Sequence, residues 1–331
     1  MMNFRKFLAG AVVGSMGLIS TSATAEVIAA DGFSPASSDA GLGIETIAVE
    51  RMDGTEGSKV AFELKEAIDG LRLDDEQWFE IVPTSAEYVD ATFRGSADSS
   101  SSITELDDKK VTTCAEKDDD GDCIRNKVSY YSCSSYEVSL RYDIELIGSD
   151  GLVLYSVRDE DSSSTDYCTD EESRPSVQRM TDRLAGALAT RTRWALAPRY
   201  FRSDYRLLER RKGLEKADRK LFKQGLKLTK SDAAAACEVF EGLEANNPQQ
   251  VSVLFNIGLC HESRRDFALA KTYYQRAENI EPGKWMTAES LERVANRIEA
   301  EAQFARRKDF LESRYAEAPA SPETTDLTNA E

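Results

Sequence analysis

Apolar and polar residues alternate without a break from Tyr136 to Leu146: Tyr136, Val138, Leu140, Tyr142, Ile144 and Leu146 on one side, Glu137, Ser139, Arg141, Asp143 and Glu145 on the other. A period of two predicts a strand with one buried and one wet face. The turn residues Gly148 to Gly151 then lead into Leu152 to Val157, which predicts a hairpin. Upstream, Ile44 to Val49, Phe79 to Val82 and Tyr88 to Gly95 read as shorter strands, the second stopped by Pro83. Between the first two, Val60, Leu64, Ala67, Ile68 and Leu71 recur at helical spacing, predicting a helix from about Ser58 to Gly70. A second helix, about Pro175 to Leu196, carries Val177, Met180, Leu184, Ala187 and Leu188 on one stripe and ends before Pro198. These elements predict an α+β domain over residues 42–200, its sheet packed in two or three layers with helices.

The pattern changes to a purely helical period further on. Leu254, Ile257, Gly258, Phe267, Ala270, Tyr274, Ala277 and Pro282 lie within Val251 to Pro282. Two antiparallel helices nest closely only where the crossing residues are small, here Gly258 and Ala270. A step of 34 residues back finds Pro248, Ala236 and Phe240, so 217–248 reads as a second, degenerate copy. Its Gly225 stands one residue too close to Ala236, implying a shortened turn with Ser231 as the N-cap of the next helix. Both copies resemble the tetratricopeptide repeat. The resemblance implies an all-α array of helical hairpins over 201–315, with repeats at about 217–248 and 251–282 and a capping helix at 287–315. It also implies a peptide groove lined by Lys223, Phe255, Asn256, Leu259 and Arg293, with the Asn256 amide pairing to a ligand backbone.

In the first domain, IETIAV, the helix ending in EAIDGL, WFEIV, AEYVDATFRG and YEVSLRYDIELIGSDGLVLYS follow one another. Their order and short apolar signatures resemble the α/β domain of curli-secretion-channel (CsgG-like) proteins and of lipoprotein activators of penicillin-binding proteins. That resemblance implies an envelope protein that binds other proteins. The lipidated N-terminal cysteine of those families is missing here, since the first cysteine is Cys114.

The chain opens with Arg5 and Lys6, an apolar run from Leu8 to Ile19, and Ala23-Thr24-Ala25. This reads as a signal peptide over 1–25, cleaved after Ala25 and not lipidated. A linker at 26–41 and a disordered tail at 316–331 are expected to flank the folded part. Export makes disulfides the expected state of the six cysteines. Reflection through the 149–150 turn brings Cys133 and Cys168 together, and Cys114 and Cys123 flank the turn at Lys117 to Asp122, although other pairings of these four remain open. Cys237 and Cys260 face each other between the two repeats, as a bridge or as two buried thiols.

The formal net charge of −17 disfavours nucleic acid and anionic surfaces as partners. It is uneven: 98–172 holds 20 acids against 7 bases, and 191–230 holds 14 bases against 4 acids. The simplest arrangement turns the basic stretch toward the acidic lobe of the same chain. His261 is the single histidine, on a repeat position usually packed, so no His-based triad or His-rich metal site is expected. Phosphate-binding and nucleophile-elbow motifs do not occur, and no cofactor is expected. Glu116, Asp118 and Asp120 before Gly121 mimic half a calcium loop, but Lys127 stands where a bidentate Glu is needed; a disulfide-closed acidic turn is the simpler account. The expected function is that of a non-enzymatic periplasmic scaffold docking an envelope protein or peptide. The alternative is an oligomeric component of an outer-membrane secretion or assembly complex.

Overall fold

The structure, a computed structural model, describes residues 26–73 and 75–317. The expected signal peptide lies outside the described residues, as does the expected tail apart from its first two positions. In chain order the elements are β1 (Val27–Ser34), a 3-10 turn at Asp39–Gly41, β2 (Thr46–Val49), α1 (Gly57–Ile68), β3 (Arg72–Leu73), β4 (Glu76–Gln77) and β5 (Glu80–Ile81). Then come β6 (Ala91–Lys117), β7 (Cys123–Gly148), β8 (Val153–Cys168), α2 (Val177–Leu196) and β9 (Arg199–Arg206). The helices α3 (Lys216–Leu228), α4 (Ala233–Leu243), α5 (Val251–Ser263), α6 (Phe267–Ile280) and α7 (Trp285–Glu317) follow.

The main sheet has the order β5-β2-β6-β7-β8, with β2 parallel to both neighbours and the β6–β7–β8 ladders antiparallel. The alternation of β7 buries Tyr136, Val138, Leu140, Tyr142, Ile144 and Leu146 against α1 and α2, which contribute Val60, Leu64, Leu188 and Ala189 to the same core. Its other face is wet. There Arg94 meets Glu145 at 3.1 Å and Arg141 meets Glu160 at 2.8 Å across neighbouring strands, pairs that contribute little stability but oppose register slip. Both serine runs, Ser99 to Ser102 and Ser162 to Ser164, lie inside strands, because β7 supplies ladder partners on both sides whatever the neighbours' side chains.

The expectation of an α+β domain followed by an all-α repeat array is not met. The chain is mixed α/β with a large sheet of long strands, and its C-terminal region is not an all-α array. α3/α4 and α5/α6 do form helical hairpins. A Cβ on Gly258 would lie 2.8 Å from the Tyr274 ring and one on Gly225 2.9 Å from Phe240, so those crossings require glycine. A two-stranded ribbon, however, is built into the same core. The expected linker is β1, paired antiparallel with β9 from Val27↔Arg206 to Ser34↔Arg199, and its Ile28 packs in the cluster that holds Phe222, Phe240 and Tyr274. α7 does more than cap. Val294 belongs to that helical core, whereas Ala300 and Phe304 belong to the sheet core, so one helix of 33 residues runs through both. The N-cap of α4 is Asp232, whose carboxylate accepts from the Ala235 amide, rather than Ser231.

Candidate functional site

The five residues assigned to a peptide groove are not gathered on an open surface. Phe255, Asn256 and Leu259 are buried in α5. The Asn256 amide makes the backbone pairing expected of it, but to its own chain: Oδ1 accepts from the Leu208 N–H at 2.9 Å and Nδ2 donates to the Leu208 carbonyl at 3.1 Å. Gln250 Nε2 donates to the Lys212 carbonyl at 3.0 Å. The segment leaving β9 therefore lies along α5 where a ligand strand was expected. Lys223 is exposed on α3.

Arg293 is held in the interior. Its Nε donates to Glu262 Oε1 at 2.6 Å, and its guanidinium lies 3.8 Å from the centre of the Tyr205 ring. Glu262 is fully buried and also accepts from the Tyr274 hydroxyl at 2.8 Å and from Arg297 Nε at 3.3 Å. Burial works against the Arg293 charge, and bonding to Glu262 more than offsets it, so the guanidinium is held in its charged form more firmly than usual. Burial, followed by the neighbouring Glu262 charge, drives the Tyr274 hydroxyl well above its ordinary range. Arg297 sits over Phe201 and Phe267. The cluster ties α5, α6, α7 and β9 together and is structural. His261 stacks on Tyr273 with ring centres 5.3 Å apart.

The six cysteines form three bridges, Cys114–Cys123, Cys133–Cys168 and Cys237–Cys260. The first two define the most exposed part of the molecule. β8 ends at Cys168, opposite Cys133, and β6 and β7 continue without it as a two-stranded ribbon closed near its tip by Cys114–Cys123. From Lys109↔Tyr131 to Lys117↔Cys123 the ribbon extends by roughly 30 Å at strand rise. The irregularities at Leu106/Lys109 and Cys114/Glu116 each add a residue on β6, and the one at Glu116/Lys117 adds Ile124 on β7 near the tip; between these β7 runs regularly from Asn126 to Ser132. Val128 and Tyr130 keep the parity of the core-facing Tyr136 but are exposed, because no helix covers them here. Ile124 near the tip is exposed as well.

At the tip, Glu116 is engaged by Arg125 at 3.0 Å, and Asp118 accepts from the Asp122 amide at 2.7 Å. Two of the three calcium candidates, Glu116 and Asp118, thus pair and shape the turn. Among the described residues the grouping of metal-ligating types that lies close enough together is Cys168, Asp170 and Glu171, whose sulfur is committed to a disulfide. The basic stretch does not turn as a whole toward the acidic lobe. Arg191 pairs with Asp161, whereas Arg210 pairs with Glu281 and Lys230 with Glu26.

Periodicity missed the β1–β9 ribbon, the Glu262 cluster and the contacts of α7 with the sheet. The usable signal for the last is a polar stripe at helical spacing, Thr287, Ser290, Arg297, Gln303 and Arg307, all buried.

No protein-family model and no curated protein matches the chain. Among solved structures, the crystal structure of a protein described as a neuraminyllactose-binding hemagglutinin homolog from Helicobacter pylori is similar over 45% of this chain and 79% of that chain. The identity is 6% and the TM-score 0.22, too loose a likeness to carry an argument. No helix of the described residues is long and apolar enough to cross a membrane. The three bridges are compatible with an exported protein.

Proposed function

We propose that the protein is a periplasmic docking scaffold of the bacterial envelope, with a binding rather than a catalytic role, and that it engages a protein partner through the β6–β7 ribbon. The observation that carries this reading is the edge of β7 from Asn126 to Tyr131, regular in backbone, uncovered beyond the Thr169 amide that still bonds the Ser132 carbonyl, and bearing exposed Val128 and Tyr130. Such an edge presents unpaired N–H and C=O groups that an extended segment of another protein satisfies by adding a strand, while side-chain alternation supplies specificity. β6 is the poorer edge, since bulges and the charged run Asp107 to Lys110 disfavour pairing there. The disulfides support the reading, because they hold an isolated ribbon that would be marginal in water.

The test is a ribbon-shortened protein in which residues 107–132 are replaced by a two-residue turn. Crosslinking in intact envelopes should join the native chain to a distinct protein and leave the shortened chain unjoined, with melting of the body unchanged. Equal adducts from both chains would remove the ribbon from the account.

A further inference from the structure

The first turns of α5 and α7 meet the segment that follows β9 around a cavity of about 220 Å³. Its apolar walls are Leu208, Val251 and Met286, with the largely exposed indole of Trp285 beside them. Three cations line it, Arg210, Lys212 and Lys284, against a single carboxylate. That carboxylate, Glu281, is already engaged by Arg210 at 3.1 Å and Lys284 at 3.7 Å, and Lys212 carries no ion pair among the described residues. Two helix N-termini converge here, and their first amides have no acceptor within their own helices. Gln250, which caps α5, provides no side-chain bond to these amides. Thr287 adds a polar group to the lining: it is fully buried, and its hydroxyl has no hydrogen-bond partner among the described residues.

We infer that this cavity binds a small carboxylate carried on an apolar group. The carboxylate is recognised by Lys212 and the first two amides of α5 (Val251, Ser252) and of α7 (Trp285, Met286), and the apolar group packs on Leu208, Met286 and Trp285. The helix dipoles and the excess of cations select a negative charge. The volume accommodates something of amino-acid size and excludes a folded surface. A free organic acid and the C-terminal residue of a peptide chain share this chemistry. The inference is independent of the ribbon, which lies on the sheet side of the molecule.

Tryptophan fluorescence and calorimetry on the full chain test it with four probes: N-acetyl-leucine, its carboxamide, and a leucine-terminated pentapeptide with a free or an amidated C-terminus. At least one free acid should bind saturably, with its amide weaker by roughly tenfold or more, the equivalent of one charge-assisted hydrogen bond. Lys212→Ala, on an exposed side chain, should reduce the affinity for the acid and leave that for the amide unchanged. A peptide acid that binds more tightly than the single amino acid assigns the site to chain termini, and the reverse order assigns it to free acids; both support the inference. It is overturned if acids and amides bind equally, or if no probe saturates below about 10 mM.

Discussion

Asn256 shows how far a single residue can be understood before its surroundings are known. The sequence placed an amide that pairs with an extended backbone, and the structure contains that pairing, but the backbone is that of Leu208 in the same chain. Periodicity could not show this, because the occupant is an irregular segment with no period of its own. Replacing Asn256 with alanine should cost about 1–3 kcal/mol, since it strips both backbone partners from Leu208. Urea unfolding reads the loss, and hydrogen exchange at the Leu208 amide should accelerate; unchanged exchange would contradict the assignment. Asp90 gives a pH-dependent case. Its carboxyl is partly desolvated, which alone would raise it, but bonds from Arg314 and the Thr46 and Glu45 amides hold it below its ordinary value of 3.8. A carboxyl lowered on folding stabilises the protein above the unfolded value, and that contribution disappears as pH falls through the folded one. Asp90→Asn should therefore destabilise at neutral pH by about 1.5–3 kcal/mol, with the gap to the parent protein closing below about pH 3. A gap constant down to pH 2, the rest of the protein remaining folded, would refute this.

At the scale of elements, legibility followed hydrophobic contrast. β7, α1 and α2 were readable because each sets an unbroken apolar stripe against polar neighbours. The extensions of β6 and β8 were hidden, as their serine-rich stretches have little β propensity and are held by the β7 ladder. β1 was hidden for another reason: it buries Ile28 and Ala30 while pairing with Tyr205 and Ser203, far along the chain, and a local window contains no sign of that partner. The bridges differ in what they hold. Cys237–Cys260 joins α4 to α5 inside a core, so changing both residues to serine should remove about 3 kcal/mol and lower the melting temperature. Cys114–Cys123 closes only the exposed ribbon tip, so the same change there should leave melting of the body unaltered while making residues 107–132 sensitive to protease. Equal losses from both pairs would show the ribbon to be part of the cooperative core.

For the whole molecule, α7 decides whether there are two bodies or one. Beyond the helical hairpins, its Gln303 accepts from the Ala36 amide at 2.8 Å, and Arg307 donates to the carbonyls of Gly41 and Ile44 at 3.0 and 2.8 Å. Repeat periodicity read the helix as a cap because its buried stripe is polar, and polar stripes look like solvent faces until their partners are known. With α7 shared, thermal unfolding should be a single transition. Arg307→Met, which strands several buried carbonyls, should cost about 3 kcal/mol or more and split that transition in two. A single transition in both proteins would mean that α7 is not what couples them.

With the helical groove occupied by the Leu208 segment of the same chain, the ribbon is the element on which the proposed docking role rests. The most direct measurement places a photo-crosslinking amino acid at Tyr130 on the ribbon or, as a control, at Phe62, exposed on α1, and exposes intact envelopes to light. The account predicts a discrete protein adduct from position 130 and none from position 62. Adducts of equal yield from both positions, or none from 130 with the protein at its native level, would contradict it.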